Sequence, residues 1–199
     1  RSGLKTIGRR RESLIRPGLD VNYVLPSTQT IYGQLDAVQA NTFGGVDAAG
    51  SNFGNTDNDN DIHSLRVDHA FVGWKSGNLF SGVDENFLDI SFGRQRYTLG
   101  NGFLFASQGS ASGGRAAYWI GGRNSADYAA IIRMKTGNWS SDLVYFEPDT
   151  VDDQDTRLGG GNVEYTVEKM GNIGGGFYAM ESDNFDQDSM NIYNLRAGI

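Results

Sequence analysis

The strongest constraint on this chain is a hydrophobic period of two. Leu19, Val21, Tyr23 and Leu25 alternate with Asp20 and Asn22, and Ile31, Leu35 and Ala37 oppose Gln34 and Asp36. Leu65, Val67 and Phe71 oppose Arg66 and Asp68, with His69 falling among the apolar positions. Leu88, Ile90 and Phe92 oppose Asp89 and Ser91, and the alternation returns at 128–134, 139–145, 163–167, 173–179 and 193–197. Successive side chains of a strand point to opposite faces, so each run reads as a strand with one apolar and one polar face. Nine strands of roughly eight to twelve residues are predicted. The expected domain organisation is a single unit over residues 1–199.

The connections sort into two kinds. Residues 75–78 (KSGN), 135–138 (KTGN) and 169–172 (KMGN) read as three hairpin turns built alike, with Gly and Asn supplying positive φ. Residues 41–61, 149–155 and 181–188 are long and acidic. Short turns are therefore expected at one end of the sheet and acidic loops at the other. Composition agrees: Asp supplies 18 of 24 acids, Asn occurs 16 times, and glycine 28 times. These are turn formers rather than helix formers. Aromatic residues at 12% argue against disorder. No apolar run is long enough for a transmembrane helix, yet the alternating strands of a transmembrane β-barrel average out as polar. Two-ended asymmetry and aromatics beside turns, Trp74 and Trp139, favour an antiparallel up-and-down transmembrane barrel, or about half of a larger one. The alternative is a soluble all-β sandwich of the carbohydrate-binding kind.

One connection stands apart. Residues 93–124 (GRQRYTLGNGFLFASQGSASGGRAAYWIGGRN) carry Arg94, Arg96, Arg115 and Arg123 and no acid, in a chain of net charge -7. A connection this long is usually functional. The strand phase also slips there, from even positions at Leu88, Ile90 and Phe92 to odd ones at Tyr97 and Leu99. A bulge near Gly93 would absorb the slip and turn Arg94, Arg96 and Thr98 inward.

The run LDISFGRQRYTLGNGFLFASQG, continuing to GGRAAYWIGGRN, resembles the GRQ segment of the bacterial alginate-export porins, with Gly93, Arg94 and Gln95 as its motif. NWSSDLVYFEPD and DTRLGGGNVEYTVEKMGNIGGGFYAMESD resemble later hairpins of that family. The resemblance runs from about residue 17 to 198. It implies a bacterial outer-membrane channel for anionic saccharides or other small anionic solutes, in contact with outer-membrane lipid and lipopolysaccharide. Family members are larger than nine strands, so the chain is expected to be a piece of a barrel lacking C-terminal strands.

Other chemistry finds little in the sequence. His63 and His69 stand without a nucleophile elbow, and the glycine runs at 159–161 and 174–176 lack the strand-to-helix setting of a phosphate loop. An enzyme is not expected, nor a cofactor. Absent cysteines exclude thiolate metal sites. Asp57, Asp59 and Asp61 match the first half of an EF-hand loop, but Ile62 replaces its turn glycine. They read as a hydrated loop with weak divalent-cation affinity at most. Acidity argues against nucleic acid, and Arg9–Arg11 read as a solvated turn. The solute path is assigned to the arginines: Arg94, Arg96, Arg115 and Arg123 in the long segment, and Arg66, Arg133 and Arg196 on polar strand faces. Rings of Arg select anions in pores. Strand arginines have acids opposite them, whereas the segment's arginines have none nearby in sequence.

Overall fold

A computed structural model describes residues 11–43, 62–100, 102, 104–109, 116, 120–150, 155–182 and 189–198. The strands are β1 (Arg11–Ile15), β2 (Gly18–Val24), β3 (Thr30–Phe43), β4 (Ile62–Lys75), β5 (Leu88–Arg94), β6 (Tyr128–Thr136), β7 (Trp139–Glu147), β8 (Thr156–Val167), β9 (Gly171–Ser182) and β10 (Ser189–Gly198). All ten join one antiparallel sheet, in which β3 to β10 are neighbours in chain order. The sheet is not closed. Its edges are β10 and the pair β1 and β2, an up-and-down arrangement consistent with part of a barrel.

The nine expected strands are present, and one element is added. β1 and β2 keep a single register along β3, with Ile15 opposite Gln39 and Gly18 opposite Asp36. They are one edge strand interrupted at Arg16 and Pro17. Proline has no N–H for the ladder, but its carbonyl still accepts from the Ala37 N–H at 3.0 Å. Arg11 therefore lies in a strand rather than in a solvated turn.

Strand order puts residues 76–87, 137–138 and 168–170 at one end and the strand ends at Phe43, Ile62, Arg94, Tyr128, Glu147, Thr156, Ser182 and Ser189 at the other; the acidic runs 44–61, 151–154 and 183–188 that these ends flank lie outside the described residues. The expected asymmetry holds, but the three short turns are not built alike. Gly137 and Asn138 close a two-residue hairpin, with Gly137 at φ 52°. The turn after β8 spans three residues and has Lys169 at φ 62°. Residues 76–87 form a longer connection in which the Asn86 N–H bonds the Gly77 carbonyl. Glu168, expected on the polar strand face, sits in the turn after β8.

The two faces differ in what covers them. One is bare and apolar: Leu19, Leu65, Ile90, Phe92, Leu143, Tyr145, Val163, Phe177 and Leu195 are exposed along it. The described residues of the segment 95–127 lie over the loop-end half of the other. There Tyr97, Leu99, Ala129, Ile131, Val144, Phe146, Leu158 and Tyr178 form the main core, with Leu104, Phe105, Met180 and Ile192 against it. A smaller cluster of Val38, Ala40 and Ala116 packs with Leu14 and Ile62. The glycine runs open space on this covered face. A Cβ at Gly160 would stand 2.6 Å from the Tyr178 ring, and one at Gly174 would stand 2.9 Å from Arg196 Nη2.

The phase slip after Phe92 has a different cause from the bulge expected there. Register runs unbroken through Gly93, opposite Phe71 and Ala129. Gly93 instead takes φ 123°, a conformation open essentially to glycine alone. The chain then leaves the sheet and doubles over the covered face. The bulge lies on β4, where register shifts between Leu35 and Ala37 of β3. Asp68 and His69 together oppose Asp36 there, so His69 leaves the apolar series and Phe71 follows it to the covered face. At Gly93 a side chain would suffer the positive φ and also meet Phe71 Cα at 2.9 Å. Gly93→Ala is therefore expected to destabilise the chain by at least about 1–3 kcal/mol, read as a lowered midpoint in equilibrium unfolding.

Candidate functional site

The covered face carries the concentration of charge, because alternation sends every second residue of each strand there. Near the turn end it bears Tyr32, Asp89, Arg133, Asp142, Glu164 and Arg196. Arg133 is opposite both Asp89 and Asp142 in the adjoining strands. The Tyr32 hydroxyl donates to Asp89. Arg196 donates from Nε and Nη2 to Glu164 Oε2 at 3.1 and 2.9 Å, and from Nη1 to Asn194 Oδ1 at 3.1 Å. Arg66 lies on the same face further toward the loop end, opposite Val38 and exposed. Of the three strand arginines, Arg133 has carboxylates directly opposite it, and Arg196 reaches Glu164 across Gly174 of the intervening strand.

The described residues of the segment 95–127 close over this face through several contacts. Gln95, Tyr97 and Leu99 turn toward the sheet and are buried, while Arg96 and Thr98 turn away and are exposed. Phe105 meets Tyr178 edge-on at 4.8 Å and Phe146 at 5.6 Å. Gln108 receives the Tyr97 N–H at 2.8 Å and returns a bond to the Tyr97 carbonyl at 2.7 Å. Asp68, fully buried beside the β4 bulge, accepts the backbone N–H groups of Asn124 and Ser125 at 3.1 and 3.3 Å. The Tyr97 hydroxyl reaches Asp142 Oδ2 at 3.1 Å, joining the segment to the charged half of the face. Gly100 lies against Arg196, where a Cβ would stand 3.2 Å from Nε.

The segment's arginines divide. Arg94 pairs with Asp127 and Asp149, and Arg123 pairs with the same Asp149 oxygen. The Arg123 and Asp149 side chains are only 3% and 7% exposed. Although the segment holds no acid before Asp127, its charge is answered from β7's far end, an acid that reads in sequence as part of a hydrated loop. Arg96 remains exposed, its Nε donating to the Ala106 carbonyl. Arg115, like Asp57, Asp59 and Asp61, lies outside the described residues. In the motif, Gly93 turns the chain, Arg94 forms the ion pair and buried Gln95 reaches the Ala129 carbonyl at 3.4 Å.

Asp36, Asp68 and His69 are the one group among the described residues whose ligand atoms could hold a metal. Arg16 enters the same space, with Nη2 2.8 Å from Asp68 and Nη1 3.8 Å from Asp36. His69 Nδ1 lies 2.9 Å from Asp36. A guanidinium thus already supplies the positive charge these buried carboxylates need. Its Nη2 also donates to the Gly122 carbonyl, so the cluster ties the edge strand to the segment. Asp149, Asp68 and Arg16 are the residues that sequence reasoning missed. Only contact across the fold distinguishes them from solvated charge.

In comparisons with known proteins, no family model, no curated protein and no solved structure matches this chain.

Burial, with Asp142 beside it, pushes the Tyr97 phenol well above its usual value. The folded chain thus favours the neutral form. Its contribution is complete below pH ~10, where a free phenol ionises, and is lost as pH rises above that. Unfolding midpoints should fall across that alkaline range, and Tyr97→Phe should flatten the fall.

Proposed function

We propose that this chain is a large part of an outer-membrane channel of the alginate-export type, passing anionic saccharides or other small anionic solutes passively and without a cofactor. The observation that carries the reading is the inequality of the two faces. Leucines 64%, 67%, 51% and 84% exposed at Leu19, Leu65, Leu143 and Leu195 lie along one continuous sheet face. In water each exposed Å² of that surface forgoes about 25 cal/mol, and large apolar patches on a chain mark contact with lipid or a partner. A carbohydrate-binding sandwich would bury such a face against a second sheet, and every described strand belongs to the one sheet. Bare-face residues on β7 run Trp139, Leu143, Tyr145, with aromatics toward both strand ends, as at a membrane's two interfaces. Strands of 9 to 14 residues from β6 through β10 and in β3 and β4 suit a tilted crossing, which takes about 9–11 residues.

The covered face then lines the passage, and residues 95–127 narrow it. Arg96 projects from the segment away from the sheet, toward the solute. Low-dielectric walls strengthen such a charge, so anions gather and cations are repelled. Arg94 and Arg123 act indirectly, since both pair with Asp149 and Arg94 pairs with Asp127 as well. In planar-bilayer recordings the whole protein that contains this chain should give discrete conductance steps with anion preference. Arg96→Ala should shift the reversal potential toward neutrality by more than Arg66→Ala, and added salt should shrink the difference by screening. Absence of steps, with a water-soluble monomer, would point to the binding module instead.

A further inference from the structure

We propose that Asp149 is the positioning residue that locks the described stretches 95–100, 104–109 and 120–127 onto the covered face and so sets the width of the passage, an inference that builds on the channel reading. Asp149 follows β7, outside the segment it holds. One of its carboxylate oxygens takes both Arg94, where the segment leaves β5, and Arg123, where it returns toward β6. The two ends of a long excursion are thus tied at a single atom. Backbone contacts seat the carboxylate: the Asp149 N–H bonds the Gln108 carbonyl at 2.8 Å, and Asp149 forms a parallel bridge with Gly109. Gln108 in turn brackets Tyr97. The acid therefore connects both ends of the segment to its buried middle.

Electrostatics makes the arrangement sensitive to the acid in particular. With Asp149 in place, two guanidiniums share one carboxylate, and Arg94 has Asp127 as well. Without it, Arg94 keeps Asp127 but both guanidiniums lose the counter-ion they share, at a site of little exposure. Removing one partner of a buried charge set is far more disruptive than replacing the whole set with apolar side chains, because only the first leaves an uncompensated charge. The segment's apolar anchors, Tyr97, Leu99 and Phe105, would still favour docking. The uncompensated charge would oppose it, and the segment would open locally while the sheet persisted.

Chymotrypsin reports that opening, because Tyr97 is only 1% exposed when the segment is docked. The full chain, folded in detergent micelles, is compared with Asp149→Asn and with the triple variant Asp149→Leu, Arg94→Met, Arg123→Met. Asp149→Asn should speed cleavage after Tyr97 by at least about tenfold, and the triple variant should restore protection. In bilayers Asp149→Asn should also raise unitary conductance. Cleavage of Asp149→Asn at the wild-type rate overturns the inference. Equal exposure in both variants overturns it too, since loss of contact rather than stranded charge would then be the cause. Should Asp149→Asn fail to fold, a folded and protected triple variant supports the inference; failure of both would assign Asp149 to the sheet and overturn it. Failure of the whole wild-type protein that contains this chain to conduct would sink the channel reading, while the protease comparison would still decide the role of Asp149.

Discussion

A β-sheet has two faces, and among the described residues only one of them is covered by the chain itself. Everything else in the structure depends on that asymmetry. The covered half-face is apolar where the described residues of 95–127 lie on it: Phe105 reaches Tyr178 and Phe146, and Tyr97 and Leu99 sit among Ile131, Val144 and Leu158. Beyond the segment the same face is charged, with Arg133, Asp142, Glu164 and Arg196 in adjoining strands. The other face keeps a continuous run of exposed apolar side chains. A single register slip would exchange the two faces of a strand, so the distribution of polar and apolar residues fixes the pairing.

Turning the chain over the sheet requires two local departures from strand geometry. At Gly93 a positive φ ends β5 and redirects the backbone without disturbing the ladder on either side. On β4 a bulge brings Asp68 and His69 to the same face as Asp36. Asp68 can then accept amides from Asn124 and Ser125 as the segment returns. One device sends the segment out and the other receives it. Asp149 joins the two ends through Arg94 and Arg123.

Local pattern carried the strands well. Period-two alternation located the nine expected strands, and the short turns and the strand ends that flank the acidic runs fell at opposite ends. The misses are places where a residue's surroundings come from elsewhere in the chain. His69 looked like part of an apolar series because nothing local marks the β4 bulge. The GRQ run suggested a change of direction, but a bulge and a positive-φ glycine predict the same reversal of phase. Asp149 sits in an acidic run, DTVDDQD, that reads as hydrated loop; its partners are distant in sequence, at Arg94 and Arg123. The unanswered +4 of the long segment was legible, but the acid that meets it was not. What remained exposed, Arg96, could be told from what is buried only once the fold was known.

The central claim is that the bare face meets lipid while the covered face meets water, and spin labelling tests it most directly. The chain has no cysteine, so single substitutions Leu143→Cys, Val163→Cys and Arg96→Cys each carry one nitroxide. In lipid vesicles the labels at 143 and 163 should relax with oxygen, which concentrates in hydrocarbon, and hardly at all with a water-soluble nickel chelate. The label at 96 should respond to the chelate. Chelate accessibility at 143 and 163 equal to that at 96, or labels at 143 and 163 shielded from both reagents, would contradict the account.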